Sequence, residues 1–518
     1  MPPVTVQRSI SLRSVVAVLM LGTALTGLSD ALAQEIGEMR LRGLANVRSP
    51  TALPTLAPHD ASALNVEAGT GAQRVGLPLR SSARLRTRRA RSPVVGEVRA
   101  RRVRAAVISP NLAREVQPMV VGLPDPPPPP LRRRRRPAEE DPYAQLGLRL
   151  GGITVLPALQ ESVGYDSNPN RASAGRKGSF VSRTEGEVVL RSDWPTHALT
   201  GFLRGSYSAY PEVRGADRPE GEGRIALRLD ATRDTQLDIE GHGRLDTERP
   251  GSPELGVAVR ERPLVAVAGT SLGVTQRFNR LLVGLRGTVD RTLYEDATLP
   301  DGSILDQSDR NNTQYGVRAR IGYEVTPGLI PFVEGLADRR VHDNRIDRAG
   351  FRRDSDGVGA RAGSTFEITR TLTGEAAVGV QQRTYDDPVL KDLRGPLVDA
   401  AIVWSASPLT TIRLRAQSRV DETNIANASG ILVQSAGLEV QHDLRRNLSV
   451  TAGLTLSESD YKGVSLREET LTGTIRADYK LTRSVVLRAS FTHERLKSTA
   501  PGSDYSADVF LLGLRFQP

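Results

Sequence analysis

The chain contains no cysteine. That excludes a disulfide framework, thiolate metal sites and a cysteine nucleophile. Aromatic residues are scarce at 4%, whereas Gly (48) and Pro (33) are plentiful, a composition that does not fit a helix-built enzyme. Beyond the first thirty positions no uncharged apolar run reaches about 18 residues, so membrane-crossing helices are excluded there. GxSxG elbows and phosphate loops of the Walker or GxGxxG kind, with their helix, are also missing.

An excess of one charge is missing from most of the 518 residues as well. The net charge is +11, from 70 Lys+Arg against 59 Asp+Glu. Residues 34–140 carry 20 Arg, no Lys and 9 acids, whereas residues 141–518 carry 48 bases and 49 acids. The positive excess is therefore confined to one N-terminal segment and does not mark a nucleic-acid-binding domain.

Three segments follow. Residues 1–33 read as an export signal: Arg8 and Arg13, the apolar stretch Val15 to Leu28, then Ala31-Leu32-Ala33, with cleavage between Ala33 and Gln34. An uncleaved membrane anchor is the plainer alternative. Residues 34–140 hold none of the 22 aromatics and 14 of the 33 prolines, with arginine clusters at 84–89, 99–104 and 132–136. Such a stretch buries too little apolar surface to offset its ordering entropy, so it reads as a disordered Arg/Pro-rich periplasmic linker. It is a solvated spacer or a polycation for anionic envelope polymers.

From residue 141 onward, apolar and polar residues alternate. Leu471, Ile475, Ala477, Tyr479 and Leu481 share one face of a strand, and Thr472, Thr474, Arg476, Asp478 and Lys480 the other. Short connections such as Thr232-Arg233-Asp234, Thr326-Pro327-Gly328 and Arg445-Arg446-Asn447 alternate with longer polar ones such as Asp296 to Asn311. This asymmetry predicts an all-β, antiparallel transmembrane barrel with short periplasmic turns and longer outer loops. Eight short and nine long connections give eighteen strands, or sixteen if weak segments such as Phe351 to Asp356 are loops. Aromatic belts are expected at both interfaces. Trp194, Phe278 and Trp404 lie at the inner side, and Tyr165, Tyr210, Tyr294, Tyr385, Tyr461 and Tyr505 at the outer side. Asp508 shares the face of Phe510 and is placed above the lipid band.

The last strand alternates Phe510, Leu512, Leu514 and Phe516, which resembles the C-terminal signal read by the barrel assembly machinery, although Gln517 and Pro518 follow. The barrel start reads Leu148-Arg149-Leu150-Gly151-Gly152-Ile153-Thr154-Val155-Leu156-Pro157, then Val163-Gly164-Tyr165-Asp166-Ser167-Asn168. Arg191-Ser192-Asp193-Trp194 and His197-Ala198-Leu199 come next. These residues resemble the outer-membrane β-barrel porin family of Gram-negative bacteria, whose members often accompany surface-polysaccharide genes. The resemblance covers residues 143–518. It implies an outer-membrane barrel with a transport role and supplies no substrate or catalytic residues.

The inward charges carry the functional expectation. Arg224, Arg228, Arg318, Arg320, Arg413, Arg415, Arg419, Arg476 and Arg488 are expected to line the lumen. Asp238, Glu240 and Asp478 join them, as do Glu187, Asp230, Glu439 and Glu494. They read either as cross-strand ladders or as the wall of a water-filled pore that sets ion preference. Among His59, His197, His242, His342, His442 and His493 there is no HxH or HExxH pair, so no metal is expected. Asp296, Asp301, Asp306 and Asp309 lack EF-hand spacing and read as a solvated loop rather than a calcium site. No cofactor is expected.

The leading expectation is passive passage of small hydrophilic or anionic solutes, linked to surface-polysaccharide export. The rival is a non-conducting structural protein whose arm binds cell-wall or other anionic polymers. A hydrolase using His242 with Asp238 and Glu240 is the third class; no enzymatic activity is expected. Expected partners are outer-membrane lipid and lipopolysaccharide, the assembly machinery and anionic polymers on residues 34–140, but no nucleic acid.

Overall fold

The computed structural model describes residues 142–518, apart from residues 214, 250, 251, 257, 258 and 370. The expected signal segment, the cleavage between Ala33 and Gln34 and the Arg/Pro-rich arm lie outside the described residues.

Period-two patterning becomes strand wherever it occurs. In chain order these are β1 (Leu148–Leu150), β2 (Ile153–Asp166), β3 (Ser179–Ser192), β4 (Ala198–Ala209), β5 (Arg218–Asp230), β6 (Thr235–Thr247) and β7 (Leu264–Phe278). Then come β8 (Leu281–Tyr294), β9 (Ala297–Thr298), β10 (Ile304–Leu305), β11 (Asn312–Tyr323), β12 (Leu329–His342), β13 (Ser355–Thr369) and β14 (Leu372–Tyr385). The last seven are β15 (Leu393–Ser407), β16 (Thr410–Asp421), β17 (Gly430–Arg445), β18 (Leu448–Lys462), β19 (Leu466–Lys480), β20 (Val485–Ser498) and β21 (Tyr505–Phe516).

Strands β2–β8 and β11–β21 form eighteen antiparallel staves, each paired with its sequence neighbour. The sheet closes where β21 meets β2, from Leu159 opposite Phe516 to Asp166 opposite Val509. β1 pairs with the start of β2, and β9 with β10 in a small hairpin within an outer loop. The eight inner connections span two to five residues, such as 279–280 and 193–197. The nine outer ones run from three residues (463–465) to seventeen (295–311). The two-residue turn between β7 and β8 places Asn279 at φ 57, a left-handed conformation that asparagine tolerates and that suits a tight hairpin.

Alternation sorts the wall into two faces. Leu272, Val333, Val380, Leu454, Ile475 and Phe491 are exposed on the outer face, which is stable only against a non-aqueous phase. An inner girdle forms as expected around Phe278 and Trp404, and the exposed Tyr323, Tyr479 and Phe516 join it. Phe510, Leu512 and Leu514 share the outer face with Phe516.

The outer girdle corrects the sequence reading. Tyr165 does face outward, in a T-shaped pair with Phe180 at 5.9 Å, and Tyr207 and Tyr315 complete the ring. Tyr210, Tyr385, Tyr461 and Tyr505 are instead buried on the inner side, and Tyr294 stacks under the Arg310 guanidinium at 3.9 Å. The Tyr210 and Tyr505 hydroxyls donate to Asp166 and Glu494, and Tyr385 and Tyr461 pack with the loop residues Leu390 and Ile425 beneath the outer loops. Asp508 is on the outer face and takes the exposed His493 as partner at 2.7 Å.

Candidate functional site

The inward face is built from charged and hydroxyl side chains, and register decides which of them meet. Arg318 and Arg320 on β11 face Glu334 on β12, and Arg361 on β13 reaches the same carboxylate. The distances are 3.2, 2.7 and 2.8 Å. Arg320 also pairs with Glu375 at 2.8 Å and Arg361 with Asp399. Thus one carboxylate serves three guanidiniums, and two flanking carboxylates balance the group.

On the other side of the seam, Glu187 receives Arg204 (2.9 Å) from β4 and Arg515 (2.6 Å) from β21. Asp478 sits between Arg488 at 2.6 Å and Arg476 at 3.3 Å. Arg224 pairs with Glu240 at 2.7 Å, Arg228 with Asp230 at 3.3 Å, Arg413 with Glu439, and Arg419 with Asp421 at 3.3 Å. Asp238 accepts from Gln236.

Eight of the nine arginines singled out by sequence are therefore held by acids. Arg415 differs: its register neighbours are Ala401 and Gly437, and it has no ion-pair partner among the described residues. Arg286, which the sequence reading passed over, donates to the Ser271 hydroxyl at 3.1 Å and likewise has no acid partner. Each is five positions in from the inner end of its strand, Leu281 or Thr410. Sequence reading also passed over Glu334, Glu375 and Arg361. Their charge was visible, but their convergence depends on register.

His242 is not joined to Asp238 or Glu240. Its Nε2 lies 3.0 Å from Asp290 of β8, one strand beyond its neighbour. Gly269 of β7 lies between them in register, and a Cβ there would sit 2.0 Å from the Asp290 carboxylate and 2.6 Å from the imidazole. Glycine is what lets the two groups clasp over the strand. The four loop aspartates are each engaged separately: Asp296 with the Gln307 N–H, Asp301 with Ser303, Asp306 with the Ser308 N–H, and Asp309 with Arg348. Among the described residues no group of three or more His, Cys, Asp or Glu is arranged to hold a metal ion.

The outer mouth is crossed by the loop between β6 and β7. These are the fifth and sixth staves from the seam, and β16 and β17 are the thirteenth and fourteenth. Across this near-diameter the Asn424 N–H donates to Glu254 at 3.0 Å. The same loop pairs Arg249 with Glu468 at 3.0 Å, Glu248 with Arg310 at 2.8 Å, and the Arg260 N–H with the Thr298 carbonyl at 2.7 Å. Burial holds the Glu254 carboxyl above its ordinary pKa, against the opposing field of Arg310.

Residues 141–518 match a family model described as "Putative beta-barrel porin 2". The chain belongs to this family. It is a porin-like outer-membrane barrel. Among solved structures, it is similar to the siderophore receptor PirA from Pseudomonas aeruginosa at 6% identity and TM-score 0.35, covering 70% of this chain and 80% of that one. The siderophore receptor PiuA from Acinetobacter baumannii gives 11%, 0.38, 71% and 82%, and Pseudomonas aeruginosa OccK2 gives 12%, 0.36, 70% and 98%. A search of curated proteins finds no match.

Proposed function

We propose that this porin-family barrel passes small hydrophilic solutes across the outer membrane by diffusion, with a preference for anions and without a catalytic step. The supporting observation is the pairing pattern of the lumen. Most inward arginines spend their charge on neighbouring carboxylates, whereas Arg286 and Arg415 do not. Unspent cations at one depth of the wall bias an aqueous path toward anions. An eighteen-stave cylinder is wide enough for such a path. The link to surface-polysaccharide export rests on the family resemblance.

Planar-bilayer recordings of the folded full chain test this. Conductance with an anion-selective reversal potential in a KCl gradient is expected. Arg286→Glu with Arg415→Glu should move that potential toward cation selectivity. No conductance from the folded chain would end the reading, and unchanged selectivity in the double variant would remove the two arginines from it.

A further inference from the structure

We propose that the outer mouth contains an oxyanion-binding site between Arg218 and Arg262, suited to the carboxylate or phosphate of a small solute. Three outer loops, 167–178, 210–217 and 248–263, meet there. Gly215, at φ +76, packs so closely on the third loop that a Cβ would lie 2.1 Å from the Arg260 carbonyl oxygen. The Arg262 Nη2 donates to the Pro169 carbonyl at 2.6 Å, and the Tyr210 hydroxyl to Asp166 at 3.2 Å.

The charges in this cluster do not balance. Arg171, at φ 54, takes both nearby carboxylates: Asp166 at 2.8 Å and Glu494 at 2.9 Å. Glu494 also accepts the Tyr505 hydroxyl. Glu220 is occupied by Arg183 at 3.0 Å. Arg218 enters on the inward face of β5, opposite Ser208, and its buried Nε and Nη2 have no hydrogen-bond partner. Arg262 is only 9% exposed, and its buried Nε has no partner either.

Leaving guanidinium donors buried and unmatched is costly, and arginine cannot escape by losing its proton. Burial first, and then the fields of Arg218 and Arg171, push the Arg262 pKa down to about 9. A carboxylate or phosphate supplies what is missing: negative charge, and acceptor oxygens for the unpartnered N–H groups of Arg218 and Arg262. The site deepens the porin reading by naming the class of solute received from outside. Binding, however, requires only a folded mouth.

The test is calorimetric titration of the detergent-folded full chain with inorganic phosphate, D-glucuronate and neutral D-glucose. Phosphate, glucuronate or both should bind and glucose should not. Arg218→Gln with Arg262→Gln should weaken anion binding by at least about tenfold. Arg218→Gln alone, which removes no hydrogen bond present in the fold, decides the matter if the double variant does not fold. Wild-type protein that binds neither anion, or an Arg218→Gln variant that binds as tightly as wild type, would overturn the proposal. Anion binding by a chain that fails to conduct would leave the site standing while ending the pore.

Discussion

Glu334 is the most heavily committed carboxylate of the wall, and its removal has a calculable cost. Glu334→Ala leaves Arg318 without its ion-pair partner, whereas Arg320 keeps Glu375 and Arg361 keeps Asp399. Breaking a buried ion pair from one side costs about 3–5 kcal/mol. Because two of the three guanidiniums keep a partner, the lower end applies, about 3 kcal/mol. Deleting Arg318 as well removes the orphan, so the double variant should recover about 1 kcal/mol or more of that loss. Urea unfolding of the barrel in detergent, followed by the fluorescence of the two tryptophans, Trp194 and Trp404, gives both differences. If Glu334→Ala costs less than about 1 kcal/mol, or Arg318→Ala gives no recovery, the three-arginine hub is not the stabilising unit described above.

Three further outcomes are expected. Gly269→Val should destabilise the barrel by about 1–3 kcal/mol, because the added side chain enters the His242–Asp290 clasp; unfolding curves matching wild type would contradict this. Arg249→Ala with Glu254→Ala releases two of the loop's moorings across the mouth. Single-channel conductance should rise, and an unchanged value would show that the loop does not limit flow. Burial opposes ionisation of Asp309, but the Arg348 side chain and N–H outweigh it and hold the pKa below the usual carboxylate value of 3.8. A depressed carboxyl contributes stability above its unfolded value and loses it as pH falls through the folded value. The stability gap between wild type and Asp309→Asn should therefore be about 1 kcal/mol at about pH 6 and close as the pH falls below the usual carboxylate value of 3.8. A gap that widens in acid would refute the sign.

The fold was legible because period two survives the whole way from β2 to β21, and because turn lengths alternate. Both are local properties of the chain. The directions of the outer tyrosines were equally local and were misread. Tyr385 is five positions from the lipid-facing Val380, Tyr461 five from Leu456, and Tyr505 five from Phe510. An odd spacing within a strand puts two residues on opposite faces. The pairings of the wall were not legible in the same way. Arg318 is sixteen positions from Glu334 and forty-three from Arg361, and only register across β11, β12 and β13 brings them together. His242 and Asp290 are further removed still, since nothing local says that a glycine will let them touch across an intervening strand.

The short β1 has a consequence for how copies of the protein can associate. β21 covers β2 only from Leu159 upward, and β1 covers Ile153 to Val155. In the gap, Pro157 has no N–H to offer, and its carbonyl is taken by the Gln145 side chain at 2.6 Å. The Gly147 N–H meets the Pro518 carbonyl at 3.3 Å. The place where a rolled sheet is most open to invasion is thereby stitched shut, and a neighbouring copy finds no backbone hem to zip onto. In a crowded bilayer, lateral association is left to side chains on the greasy flank, where contacts can form and separate without unpicking a single stave.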